Sequence, residues 1–213
     1  MARKLPSPLV AKRAALTFLT CAVLAGGCGG VGGVSQTDAD VTLLLGAPAS
    51  AVHAGIYLAA DREFDAAEGI DLDVRTGGDA RRQLRNGRAQ AALLRREEVQ
   101  ASGATCVMAL VQLPEPNWFV CVTRTTLEDR RGEVEALVRT IQRGYVETGA
   151  DPESAVQALL EARAGLERDA LLADLDSLSG AFEAGVPAFG ALRRGALPPG
   201  DFAYDLVGPV SRD

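Results

Sequence analysis

The chain has one histidine, His53, one tryptophan, Trp118, and no lysine beyond Lys12. A lone histidine leaves Cys106 and Cys121 without the further ligands that a metal site needs. No Gly-x-Ser-x-Gly elbow occurs, no serine or cysteine is accompanied by a second histidine, and no carboxylate pair has a spacing from which geometry follows. The chain therefore reads as a non-enzyme with no cofactor and no metal. Cations are also scarce, with 22 Lys and Arg against 28 Asp and Glu, for a net charge of -6. Arg3, Lys4, Lys12 and Arg13 stand in the first 27 residues with no acid among them, so the rest carries about -10. That balance argues against a nucleic-acid partner. The preference for arginine over lysine, with abundant alanine and glycine, reads as GC-rich coding. No internal repeat is present.

Long apolar runs are missing too. Residues 14–24 are apolar but too short to span a bilayer, and they follow a basic segment and precede small residues up to Cys28. This is the pattern of an export signal over residues 1–27. Leu24-Ala-Gly-Gly-Cys28 resembles a bacterial lipobox, with Cys28 as the lipidated mature N-terminus, although the leucine stands four residues before the cysteine rather than three. A plain secretory signal with cleavage nearby is the alternative. The Gly-rich residues 28–40 suit a flexible tether, and Cys21 is removed with the signal under either reading.

What remains, 41–213, has the length of one ordinary domain or two small lobes, and one core is expected. Residues 41–45 form a short apolar run of the kind buried in a parallel sheet. Gly46, Pro48 and Ser50 break it before a helical pattern with Ser50 as N-cap. Helical spacing predicts His53 and Tyr57 on one side, facing the strand's C-terminal mouth, where open α/β sheets hold their ligands. Ile70, Leu72 and Val74 alternate with Asp71, Asp73 and Arg75 as a strand. Asp79 then caps a helix over about 80–86, Gly87 stops it, and 91–94 is the next strand. This alternation predicts a parallel sheet with right-handed crossovers. Val134, Leu137, Val138, Ile141 and Tyr145 stripe a helix over about 127–147 capped by Thr125 or Thr126. Asp151-Pro152 opens the next helix, residues 166–178 form a third, and Pro198-Pro199-Gly200 leads an extended tail laid back on the lobe.

GAPASAVHAGIYLAADREFDAAEGIDLDV and TGGDARRQLRNGRAQAALL resemble the first lobe of bacterial ABC-transporter solute-binding proteins. These belong to the group that includes thiamine-pyrimidine-precursor, nitrate, sulfonate and taurine binders. The H-A-G-x-Y element and the E-G-I-D-L-D-V strand are closest to the precursor binders. WFVCVTRTTLEDRRGEVEALVRTIQRGYVETGADPESAVQALLE resembles the family's return strand and following helices. The resemblance implies one lobe of a type II periplasmic-binding-protein fold: a mostly parallel sheet with one antiparallel strand, helices on both faces and a helical C-terminal part. In the family a whole second lobe separates the outgoing and returning hinge strands. Here only Pro114-Glu-Pro-Asn117 separates 105–113 from 118–123. The lobe, 41–113 joined to 118–213, thus reads as a receptor whose second lobe is missing, through a natural deletion or an error in the gene sequence.

Ser50, His53, Tyr57, Gly77, Gly78, Asp79 and Trp118 are the expected ligand-binding residues. Ser50 occupies what resembles the family's asparagine position, which weakens the transfer of specificity. A neutral His53 at a helix start can both donate and accept, which suits an aminopyrimidine with Tyr57 beside it. The competing reading is a buried histidine bonded to a carbonyl. Gly77, Gly78 and Asp79 form either an anion-approaching loop or a turn with a cap. Trp118 covers the half cleft or marks the scar of the missing lobe. Cys106 and Cys121, on strands expected to pair, are compatible with a disulfide or with two buried thiols. Arg95-Arg96-Glu97-Glu98 and Glu128-Asp129-Arg130-Arg131 read as solvated helix ends.

The functional expectation is a monomeric, lipid-anchored solute-binding protein of an ABC importer on the outer face of the bacterial cytoplasmic membrane. Its partners are a small-molecule solute and a membrane permease. The alternative is a degenerate envelope lipoprotein that transports nothing.

Overall fold

The computed structural model describes residues 38–111, 117–182, 188–192, 197 and 201–208. The export signal, Cys28 and the Pro114-Glu115-Pro116 part of the connection lie outside the described residues. β1 (Ala39–Leu45) begins within the stretch read as tether. The other strands are β2 (Ile70–Thr76), β3 (Ala91–Arg95), β4 (Thr105–Val111) and β5 (Trp118–Val122). They form one open sheet in the order β2-β1-β3-β5-β4. β1 runs parallel to both neighbours, with Val41 opposite Leu72 and Leu43 opposite Ala91. β5 is antiparallel to both β3 and β4. The sheet is therefore mixed α/β and mostly parallel, with one reversed strand.

From β1 the chain crosses to β2 on one side, then returns past β1 to β3 on the other. A common crossover hand then puts the two connections on opposite faces. α1 (Ala54–Asp61) and the short α2 (Phe64–Ala67) join β1 to β2, and α3 (Ala80–Arg85) joins β2 to β3. The period-two alternation of the strands separates the two cores. Leu43, Leu45, Leu93 and Val120 pack on the α1 face, whereas Leu44, Leu94, Phe119 and Cys121 pack on the α3 face with Leu84 and Phe202. Burying each such large side chain contributes about 1.5–3 kcal/mol.

The α1 face is completed by α6 (Arg131–Ala150), α7 (Pro152–Ala162) and α8 (Arg168–Phe182). All five apolar residues of the predicted stripe on α6 are buried. α6 crosses α1 closely: a Cβ on Gly144 would lie 2.1 Å from the Gly55 carbonyl oxygen, and one on Gly55 would lie 2.6 Å from the Tyr145 ring. Asp151 caps α7 by accepting the Ser154 N–H at 3.1 Å, as its sequence predicts.

Two helix expectations change. The stretch read as one helix over 127–147 is divided, because α5 (Arg124–Asp129) ends at Arg130, whose φ is -126°. The cap is Thr123, whose hydroxyl accepts the Thr126 N–H at 3.0 Å, not Thr125 or Thr126. Arg130 bonds the Asp40 carbonyl oxygen at 3.0 Å, which anchors the break to the start of β1. The helix expected over 166–178 begins and ends later, as α8. The run Arg95-Arg96-Glu97-Glu98 is a helix end, as its sequence predicts: α4 (Arg96–Ser102) starts there with the Arg95 N–H donating to Glu98 at 2.9 Å.

β4 and β5, proposed from sequence as neighbours, pair with Cys106 opposite Cys121, and a disulfide joins these two residues. Both edges of the sheet are occupied. Along β4, the Cys106 N–H donates to Asp201 O at 2.7 Å and the Ala203 N–H to Cys106 O at 2.8 Å, so the tail does lie back on the lobe. Along β2, the Leu72 N–H donates to Asp65 Oδ2 at 2.9 Å, and Arg163 Nη2 donates to the Val74 carbonyl at 3.1 Å. Such plugs remove the free ladder groups through which sheets add strands.

Candidate functional site

The strand order reverses direction at β1 and β3, and His53 enters at the carboxyl end of β1, the position where open α/β sheets form a crevice. Ser50 is extended, with φ of -154°, and begins a 3-10 turn over Ala51–His53 ahead of α1. The turn closes on itself. The His53 N–H donates to Ser50 O at 2.9 Å, and the Ser50 N–H donates to His53 Nδ1 at 3.0 Å.

This pair of bonds fixes the imidazole chemistry. Nδ1 receives a backbone N–H and so holds a lone pair, which leaves the ring proton of neutral His53 on Nε2. The side chain is fully buried, and Nε2 has no hydrogen-bond partner among the described residues. Burial lowers the His53 pKa to about 4. The neutral state expected from sequence is present, but desolvation rather than a helix dipole produces it. The ring can then only donate, not donate and accept as its sequence context suggested. Among the described residues no carbonyl bonds the ring, which meets the backbone through the Ser50 N–H.

Trp118, half-buried, meets the His53 ring edge-on at 5.9 Å between centroids and 69° between planes. Trp118 begins β5 directly opposite Arg95, the last residue of β3, and the Arg95 guanidinium lies 4.9 Å from the indole centre. His53, Trp118 and Arg95 thus share the mouth of the sheet. Sequence reasoning left Arg95 out; its place opposite Trp118 depends on strand register, which no local pattern gives.

Tyr57 does not join them. It is buried toward β2, its hydroxyl accepts from Arg163 Nε at 2.7 Å, and the Arg163 guanidinium lies 5.4 Å from its ring centre. A four-residue spacing aligns side chains only along an unbroken α-helix, and here His53 closes a tighter 3-10 turn first. Gly77 and Gly78 have φ of +92° and +78°, and Asp79 caps α3 by accepting the Arg82 N–H at 3.0 Å. That bond holds the exposed Asp79 carboxyl below its usual pKa, with help from nearby arginines. The loop is a turn with a cap, and its carboxylate does not favour an anion.

At the other end of the sheet a cavity of about 10 Å³ is lined by Val41, Ala91, Val122, Val134 and Leu137, among others. It is the size of one water molecule and lies away from His53. Among the described residues no group of three or more His, Cys, Asp or Glu is placed to hold a metal ion, and no helix is long and apolar enough to cross a membrane. No protein-family model matches the chain, and no curated protein matches it.

Proposed function

We propose that the chain is the surviving first lobe of a solute-binding protein of an ABC importer, exported and lipid-anchored through Cys28, with a thiamine-precursor-like aminopyrimidine or similar small polar heterocycle as its solute. The observation that carries this reading is a buried imidazole donor with no partner among the described residues, edge-on to a tryptophan at the sheet's switch point. A buried N–H without an acceptor costs about 1–3 kcal/mol, and an acceptor atom on a ligand ring recovers that cost. Trp118 offers such a ring a stacking surface, and Arg95 adds a cation at the rim. Ser50 acts by holding His53, while Tyr57 supports the far side of the crevice through Arg163.

The partner for transport is a membrane permease. Two-lobed binders owe affinity to closure of both lobes around the solute, so a single lobe leaves much of the ligand wet and binds weakly. The sole tryptophan is the reporter. Titration with aminopyrimidines, thiamine and flavins is expected to change Trp118 fluorescence and release heat, and His53→Ala is expected to abolish both signals. A flat response to every ligand rejects solute binding and leaves the second reading, a degenerate envelope lipoprotein. Complete burial of His53 favours that alternative, because a solute reaches Nε2 only when the side chains packed over the ring move.

A further inference from the structure

The arginines of this chain are mostly engaged. Arg139 bonds Glu68 at 2.7 Å, Arg131 bonds Asp205 at 2.7 Å, Arg168 bonds Glu153 at 3.0 Å and Arg75 bonds Asp73 at 2.5 Å. Others bond carbonyl groups or cover aromatic rings, as Arg163 and Arg143 do. Four arginines on and just after α3 break that habit. Arg81, Arg82, Arg85 and Arg88 form no ion pair among the described residues, and only Arg81 is even half-buried. Ala80 and Leu84 turn the opposite side of α3 into the core, which leaves the arginines on the outer side. From Thr76 to Arg96 the sole acid is Asp79, and its Oδ1 already accepts the Arg82 N–H. An acidic protein thus concentrates uncompensated positive charge on one side of one face.

We propose that this α3 face docks on an anionic phospholipid surface. The patch is a helix exterior rather than a groove, and no aromatic side chain alternates with its cations. It therefore lacks the stacking platforms and channel that single-stranded nucleic acids use. A plane of headgroups requires only a flat cationic face, to which each basic side chain contributes through its charge. The overall charge of -6 repels extended polyanions at long range, while at contact the local patch dominates because screening confines each charge to about 8–10 Å. The patch lies on the outer side of α3 and contains none of the residues His53, Trp118 and Arg95. Docking there is separate from solute binding and does not depend on it.

The test is flotation of the full chain with vesicles of phosphatidylcholine, with and without phosphatidylglycerol, beside the variant R81Q/R82Q/R85Q/R88Q. The N-terminal cations are common to both proteins, so only the difference between them counts. Binding to phosphatidylglycerol vesicles is expected to weaken by about fivefold for each arginine removed. It is also expected to fall with added salt, to survive the four Arg→Lys changes and to ignore Arg124→Gln, an exposed arginine elsewhere. Equal binding of the parent and the quadruple glutamine variant, with matching circular-dichroism melts, overturns the proposal. Tighter, arginine-dependent binding to polyphosphate or DNA than to the vesicles also overturns it in favour of a soluble polyanion.

Discussion

His53 is neutral because it is buried, and this gives the fold a pH dependence of definite sign. The unfolded chain titrates near 6.5 and the folded one near 4, so between those values the unfolded state holds more protons. The contribution of His53 is therefore complete above about pH 6.5 and is lost as pH falls toward 4, with a span of about 3 kcal/mol. Urea denaturation from pH 7 to pH 4.5 is expected to show a steeper loss for the parent than for His53→Gln; parallel curves would contradict the buried neutral ring. Tyr145 presents a second side chain of this kind. Its hydroxyl donates to the Val52 carbonyl oxygen in the turn that carries His53, and burial pushes its pKa upward. Tyr145→Phe leaves that carbonyl unpaired and is expected to cost about 1–3 kcal/mol in thermal or urea unfolding. The place of His53 at the mouth after β1 was legible in the sequence. Its tautomer, its burial and the separation from Tyr57 were not, because they follow from one 3-10 turn and from which side chains close over it.

Among the elements, the strands were the most legible. Apolar runs and the alternation of Ile70, Leu72 and Val74 placed them within a few residues. The caps at Asp79 and Asp151 were also legible, since a side chain three residues from its partner N–H is a local device. The division between α5 and α6 was not, because its anchor is a bond from Arg130 to Asp40, far away in sequence. The disulfide was open from sequence because it needs the register that sets Cys106 opposite Cys121. Closing a loop with a sequence separation of 15 is expected to stabilise the fold by about 3 kcal/mol, chiefly by restricting the unfolded chain. Urea unfolding of the parent with and without reductant measures that difference, and an unchanged midpoint would contradict it. At the α1–α6 crossing, Gly144→Ala places a methyl against the Gly55 carbonyl and is expected to cost about 1–3 kcal/mol on the same assay.

At the scale of the molecule, the described lobe terminates its own sheet. Asp65 and Arg163 plug the β2 edge, and the residues around Phe202 cover β4. Asp65→Ala exposes the Leu72 N–H and is expected to lower stability by about 1 kcal/mol and to produce concentration-dependent association in light scattering. A variant that stays monomeric at every concentration would show that the plug is not what keeps β2 from pairing.

The covering of β4 also imposes an order of events during synthesis. The backbone of β4 emerges early, its outer partner at 201–203 is made long after β5, and the four described helices α5 to α8 are translated in between. Until that late segment arrives, the nascent protein carries one unprotected margin. A helper that holds nascent chains, or speed in the final stage of translation, then bears on whether this lobe closes before it associates.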